Sequence, residues 1–328
     1  MPRIAPALLP GAQPPRRGSA RLHRDGDSPL RAWPLKGRAW RPALVAALLL
    51  LATRAPAGPR VASINACTDQ LVLKLADPEQ VVTVSEYARS PAFSYMAEAA
   101  RGYPVNHGYA EEVLAHDPDL VVSGPYTSRE TTRRLEAFGY RVVTLPSADT
   151  FQGVRANLRK MARLLGYPRR GERLVERMDR TLAALAERLP PEDRRLRALA
   201  LRPNGVTVGQ GSLLDSIMRA AGLENIGREL DAGVFREVPL ERLVATQPDM
   251  IILAAFSASQ PSLAQGIMRH PVFAALETER EPLWLPGRLW SCGGWFNARA
   301  VARLARHAYG IELREPASGT GKEAGDGP

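Results

Sequence analysis

Short apolar runs alternate with stretches of helical period along most of the chain. The runs at 60–64, 81–84, 142–145, 196–201 and 283–285 are rich in Val, Leu and Ile and predict buried strands. Apolar positions recur at helical spacing across 127–138 and 212–221, which predicts helices between those strands. Strands alternating with helices predict an α/β fold with parallel sheets covered on both faces.

One stretch echoes another. Glu111-Glu112-Val113-Leu114-Ala115-His116-Asp117-Pro118-Asp119-Leu120-Val121-Val122 reads as a short helix, a Pro-Asp turn and a strand. Glu241-Arg242-Leu243-Val244-Ala245-Thr246-Gln247-Pro248-Asp249-Met250-Ile251-Ile252 repeats the pattern 130 residues later, again with a Glu seven residues before the Pro. Proline ends the helix, aspartate suits the turn, and the β-branched run that follows suits a strand. Two copies in matching contexts predict two lobes of similar plan.

A long helical stretch separates them. Asp149 with Gln152 three residues on has the form of a capping box, followed by Phe151, Val154, Leu158, Met161, Leu164 and Leu165 at helical spacing. At 1.5 Å per residue, 150–165 spans roughly 24 Å, enough to bridge two small domains. Gly166 and Pro168 predict its end, and a second helix is expected from about Gly171 to Leu189. The organisation expected is a signal peptide at 1–57, an N-terminal lobe at 58–148, connecting helices at 149–190, a C-terminal lobe at 191–313 and a disordered tail at 314–328.

The first of these segments changes the charge argument. Arg38 and Arg41 precede ten apolar residues at 43–52, and Ala55-Pro56-Ala57 follows. A basic region, a short apolar core and an A-x-A end are the parts of a secretory signal peptide, and the core is too short to span a bilayer. Residues 1–57 hold ten Lys/Arg against two Asp/Glu, so they carry +8 of the formal +10. What remains is nearly neutral, which argues against nucleic acid as a partner.

Cys67 and Cys292 are the only cysteines. An oxidising compartment allows them a disulfide; two separate buried thiols or a thiolate ligand to a metal centre are the other readings. Ile-Asn-Ala before Cys67 is a poor lipobox far from the apolar core, so a lipid anchor is not expected. No G-x-S-x-G elbow, H-E-x-x-H, Walker loop or G-x-G-x-x-G follows a predicted strand. A hydrolase would have to use Cys67, His107 and Asp69, a trio without supporting spacing. A bare transition-metal-ion receptor would need three or four converging ligands, and among the histidines only His107 is suitably placed.

These parts, in this order, resemble the periplasmic solute-binding proteins that serve cobalamin and ferric-siderophore ABC importers. The resemblance runs from about Arg60 to Leu313. It rests on Val61-Ala62-Ser63-Ile64-Asn65-Ala66-Cys67-Thr68-Asp69-Gln70-Leu71, both Glu-to-Pro-Asp elements and the connecting helix. Gly211-Ser212-Leu213-Leu214-Asp215 leading to Ala221-Gly222-Leu223-Glu224-Asn225 completes it. It implies two Rossmann-like lobes joined by one long helix, with the ligand in the cleft between them. It also implies a periplasmic, monomeric receptor without cofactor or catalytic activity, whose partners are a metal chelate (ferric siderophore, cobalamin or haem) and an ABC permease. Glu111 and Glu241 fall where the family docks to the permease; the alternative is two solvated carboxylates in first helical turns.

Within such a fold, ligand contacts come from loops after the carboxyl ends of strands. In the first lobe these loops offer Cys67, Thr68, Tyr87, His107, Tyr109 and Tyr126. In the second they offer Phe235, Arg236, Arg288, Trp290 and Trp295. Aromatic faces suit a large, partly apolar chelate, and the two arginines suit an anionic one. Trp290 and Trp295 are alternatively core residues, and His107 is either an axial ligand to haem or cobalt or a polar loop group.

Overall fold

The structure, a computed structural model, describes residues 58–255, 266, 270–274 and 276–313. The expected leader and tail lie outside them. Five parallel strands make the first sheet: β1 (Val61–Ser63), β2 (Val81–Ser85), β3 (Val105–Asn106), β4 (Leu120–Ser123) and β5 (Val142–Thr144), in the order β3-β2-β1-β4-β5. Helices α1 (Ala66–Leu75), α2 (Ala110–Leu114) and α3 (Arg129–Ala137) connect them. Each strand is short and apolar because helices cover both sheet faces: Val61, Val84 and Val122 face the main core, and Ala62, Val121 and Leu135 form a second cluster.

Two consecutive helices leave this lobe, α4 (Phe151–Leu164) and α5 (Pro168–Ala186), packed against each other. Thr150, not the expected Asp149, caps α4, its hydroxyl accepting from the Gly153 N–H at 3.1 Å; Asp149 instead accepts from Ser147 Oγ. Gly166 takes φ +88° and turns the chain, and α5 then starts at Pro168 rather than near Gly171. Proline at a helix's first position forfeits no hydrogen bond and arrives with a helical φ, so it opens this helix.

The second lobe holds β6 (Arg197–Leu201), β7 (Val206–Thr207), α6 (Leu213–Ala220), β8 (Glu224–Asn225), α7 (Ile226–Glu229) and β9 (Arg236–Glu237). There follow α8 (Leu240–Ala245), β10 (Met250–Ala255), α9 (Pro271–Ala274), β11 (Leu283–Pro286) and α10 (Asn297–Tyr309). Its main sheet is parallel in the order β11-β10-β6-β8; β7 and β9 pair antiparallel beside it. Without β3, the first sheet reads β2-β1-β4-β5, and the second, in corresponding order, β8-β6-β10-β11. The lobes share one plan.

The repeated Pro-Asp turns show why. Asp119 Oδ2 accepts from the Arg60 N–H at 2.8 Å, and Asp249 Oδ2 accepts from the Arg197 N–H at 2.7 Å. The same arginines donate through their guanidinium groups to His116 O and Thr246 O. Asp117 and Gln247, each just before the proline, take φ of 44° and 43°. Each turn therefore fastens the start of the lobe's first strand to the strand that follows the turn.

A continuous seam joins the lobes. Cys67 at the start of α1 is bonded to Cys292, before α10, with their Cα atoms 5.1 Å apart. Beside it the Tyr95 ring stacks on Phe296 at 5.0 Å and meets Trp295 edge-on at 6.0 Å. Ser216 Oγ donates to Asp149 O at 2.7 Å. A Cβ on Gly293 would lie 2.5 Å from the Ala148 methyl, so backbone from one lobe packs directly on the other.

Candidate functional site

In a parallel sheet all carboxyl ends fall on one edge, so the loops after β3, β2, β1 and β4 line up in that order. They bring His107 and Tyr109, then Tyr87, then Asn65, then Tyr126 to one rim of the first lobe. Tyr87, Tyr109 and Tyr126 are 50%, 64% and 98% exposed. Exposed tyrosines in series on one rim are not core side chains, and they leave apolar ring surface open to solvent.

Polar residues just beneath hold that rim in shape. Asn106 Nδ2 donates to Ser63 O and Thr83 Oγ1, and its Oδ1 accepts from the Gly108 N–H. Thr131 Oγ1 ties Gly108 O to α3 at 2.8 Å. Asn65 caps α1 by accepting from the Cys67 N–H at 2.9 Å, while its amide donates to Pro125 O and Thr127 Oγ1. Gly124 lies so close that an added Cβ would sit 2.7 Å from Asn65 Oδ1. This clamp holds Tyr126 at φ +68°, a left-handed conformation that costs a bulky residue energy and points to function.

His107 stands at the β3 end of the rim. Glu112 accepts from its backbone N–H at 2.6 Å and meets ring Nδ1 at 2.9 Å. That hydrogen bond raises the His107 pKa above the usual imidazole value, and the same two contacts lower that of Glu112. With Nδ1 engaged by the carboxylate, Nε2 is the nitrogen left for a ligand.

The second lobe contributes fewer of the expected residues. Phe235, beside β9, is 61% exposed, and Arg236 is exposed. Arg288 is half-buried after β11. Asn225 repeats the part of Asn106, donating to Val208 O and Asp215 Oδ1 and accepting from the Gly227 N–H.

Four of the expected contacts and one alternative reading have their groups engaged elsewhere in the structure. Cys67 supplies no thiolate to a ligand, because its sulfur is bonded to Cys292. The same bond removes the nucleophile from the Cys67–His107–Asp69 reading, and Asp69 is wholly buried against Ser85. Thr68 is interior, its hydroxyl held by Ser63 Oγ and Asn65 O. Trp290 is core, its ring N–H donating to Leu285 O at 3.1 Å. Trp295 belongs to the seam, with its ring engaged by Tyr95, Phe296 and Lys74. Asn106, which organises the rim from beneath, was not singled out by the sequence. An Asn at the carboxyl end of a strand, as at Asn106 and Asn225, is the signal.

Two α/β lobes of one plan, with an exposed aromatic rim at a strand edge and a seam beside it, define a two-lobed ligand-binding protein. A family model described as periplasmic binding protein matches residues 61–281, and the chain belongs to that family. A cobalamin-binding protein of Halobacterium salinarum is 28% identical over 197 residues, which is 59% of this chain and 53% of the relative. The chain therefore spans about half the length of the curated relatives it matches. Among solved structures, the periplasmic heme-binding protein RhuT from Roseiflexus sp. RS-1 superposes with a TM-score of 0.65 at 23% identity, covering 77% of this chain and 98% of that one. The molybdate periplasmic binding protein MolA of Haemophilus influenzae gives a TM-score of 0.65 at 18% identity, covering 78% and 87%. At these identities the likeness is one of fold.

Proposed function

We propose that the chain is the extracytoplasmic receptor of an ABC importer, capturing one metal chelate (a ferric siderophore, cobalamin or haem) between lobes at about 58–148 and 191–313. The aromatic rim is the observation that carries this reading. Tyr87, Tyr109 and Tyr126 present flat apolar faces with phenol groups, and Phe235 presents another from the second lobe. Such faces suit a large, partly apolar ring system, whose burial contributes ~25 cal/mol per Å². Family membership supports the receptor class, as does the cobalamin named for the halobacterial relative. The disulfide supports an oxidising compartment, and the periplasm, reached through a leader and without a lipid anchor, is the location we assign.

Capture involves a small closure, because the disulfide and the stacked aromatics of the seam limit how far the lobes part. Delivery uses Glu111 and Glu241. Both are exposed and occupy the second position of equivalent helices, α2 and α8. Glu241 has no partner among the described residues, and Glu111 meets only Arg134, at 3.3 Å, in an exposed pair worth little. Two carboxylates at matched places are suited to engage basic pockets on a permease.

Tryptophan fluorescence of the purified protein, titrated with aquacobalamin, hemin, a panel of ferric siderophores and molybdate, tests the reading. Trp295, in the seam between the lobes, is the reporter. Saturable one-to-one quenching by one chelate is expected. If no chelate responds while zinc or molybdate raises the melting temperature, the receptor takes a bare ion and the chelate reading falls.

A further inference from the structure

The helices fall into two layers, and charge divides between them. Helices α1, α4, α5, α6 and α10 bury their apolar sides in the main core, through residues such as Leu71, Leu158, Val175, Ile217 and Leu304. α1 packs on α4, α4 on α5, α5 on α10 and α10 on α6, so this layer is continuous across both lobes. Its five helices hold 14 Lys/Arg against five Asp/Glu, a net +9. On the opposite sheet faces, α2 and α3 pack through Val113 and Leu135, and α7 and α8 through Ile226 and Leu243. Those four helices hold five Arg against six Glu, a net −1.

The basic residues of the first layer face outward. On α5 the buried residues Leu174, Val175 and Met178 lie on one side, and Arg169, Arg173, Arg177 and Arg180 recur at helical spacing on the other. Arg163 on α4 and Arg303 on α10 are exposed as well. None of these six pairs with a carboxylate among the described residues, whereas Arg155, Arg159 and Arg170 each hold an Asp or Glu. Asp69 and Asp215 are buried, and Glu172 and Asp179 are held by Arg159 and Arg155. Among the described residues, Glu176 is therefore the one acid of these helices left exposed and unpaired. Helix stability does not account for the arginines. Like charges four residues apart repel, and α5 carries Arg169 and Arg170 in a first turn without an acid, where a helix disfavours cations.

We propose that this layer docks on an anionic phospholipid surface, so that charge, in place of a lipid anchor, holds the receptor at the membrane. The proposal rests on the extracytoplasmic-receptor reading above and deepens it. Arg169 to Arg180 run roughly 17 Å along α5, an extended contact rather than a point site. At its start Arg169 and Arg173 line an open hollow of about 340 Å³ with Gly166, Tyr167 and Pro168, room for a phosphate-bearing headgroup. A second copy of the chain is a poorer match, because the opposite helices, at net −1, offer no acidic face of that extent. Each basic residue near an anionic bilayer adds to the attraction, which salt screens. Glu111 and Glu241 lie on the other layer, so contact with lipid leaves both open.

Vesicle sedimentation tests this, with protein purified from the periplasm of an expressing cell. The vesicles are phosphatidylcholine alone, or phosphatidylcholine with about a third phosphatidylglycerol, at low salt and at about 0.5 M NaCl. Binding to the anionic vesicles at low salt is expected, with release at high salt and little binding to the neutral ones. Arg169→Gln, Arg173→Gln, Arg177→Gln and Arg180→Gln together are expected to weaken binding roughly tenfold to hundredfold. Lysine at the same four positions is expected to keep it, since a bilayer reads charge and not the arginine fork. Arg129→Gln, Arg133→Gln, Arg228→Gln and Arg242→Gln, on the opposite layer, are expected to leave it unchanged. The glutamine variant of α5 loses like-charge repulsion, so its melting temperature is expected at or above the wild-type value.

Failure of the wild type to bind anionic vesicles, or equal binding to neutral ones, overturns the assignment. Undiminished binding by the α5 glutamine variant, or an equal loss in the opposite-layer variant, does so too. If the glutamine variant melts many degrees lower, the lysine variant decides: retained binding upholds the surface, and loss equal to that of glutamine removes it. Capture by soluble polyphosphate with vesicles ignored gives the layer to a dissolved polymer and also overturns the proposal. The chelate titration separates this surface from the receptor reading. Chelate binding without vesicle binding leaves the receptor and removes the surface; vesicle binding without chelate binding does the reverse.

Discussion

The bond between Cys67 and Cys292 closes a loop of 225 residues, nearly the whole described fold. In the chain-entropy view, a crosslink across a loop of that length lowers the entropy of the unfolded chain by about 18 cal/mol/K, or about 5 kcal/mol at 25 °C. Domains of this kind are stable by only about 5–15 kcal/mol, so the bond is a large share of the total. The perturbation is Cys67→Ala with Cys292→Ala, which leaves the Tyr95–Phe296 stack and the Ser216–Asp149 hydrogen bond in place. Urea unfolding followed by far-UV circular dichroism is the assay, with the oxidised wild type as reference. A loss between about 2 and 5 kcal/mol is expected, together with a steeper dependence on urea, because an uncrosslinked unfolded chain exposes more surface. A folded variant that loses less than about 1 kcal/mol, with the slope unchanged, would refute the argument. The bond would then constrain a chain that is already compact when unfolded.

Charge reversal of Glu111 and Glu241 to Arg is expected to abolish transport while ligand affinity, measured on the purified receptor, stays unchanged; equal loss of both would remove the docking assignment. Alanine at Tyr126 or Phe235 is expected to weaken the chelate about tenfold each, read by the fluorescence titration, with little change in urea midpoint because both rings are exposed. For His107 the folded pKa is raised by Glu112, so its pairing is fully present below the ordinary value of 6.5 and fades as pH rises through the folded value. Glu112, shifted down, contributes above its ordinary value of 4.5 and ceases to as pH falls through its own folded value. An NMR titration of His107 is expected to show a midpoint above 6.5 that returns towards it in Glu112→Gln; an unmoved midpoint would break the pairing. Burial lifts Asp69 to about 7 against the hydrogen bonds from Ser63 and Ser85, so the folded state holds a proton that the unfolded state has released. Wild-type stability should therefore fall as pH rises from about 4 to about 7, and Asp69→Asn should come nearest the wild type in urea midpoint at pH 4 and exceed it increasingly up to pH 8. A constant difference between the two across that range would show that Asp69 titrates normally.

Much of this protein is written locally. The strand runs at 81–84 and 196–201 became β2 and β6 within a residue or so at each end, because a strand buried on both faces must be apolar throughout, and 142–145 became the half-buried edge strand β5. The echo of Glu111 to Asp119 in Glu241 to Asp249 announced two lobes of one plan, since each copy carries its helix, its stop and its strand within a dozen residues. Strands of two residues, β7 and β9, escaped notice because so short a segment has no period.

Tertiary structure decided what depends on closure over distance. Nothing near Asp119 or Asp249 in sequence names Arg60 or Arg197 as partner; the pairing exists because parallel strands bring those positions side by side. The two cysteines, open to three readings in sequence, became one bond once α1 met the segment before α10. Aromatic residues divided in the same way. Trp290 and Trp295 went into packing and Tyr126 to the rim, although composition treats all three alike. Periodicity and turn chemistry act over a few residues and so are legible in a single chain. Which side chains face one another across a cleft is set by sheet order and lobe contact, and these arise only when the whole chain has folded.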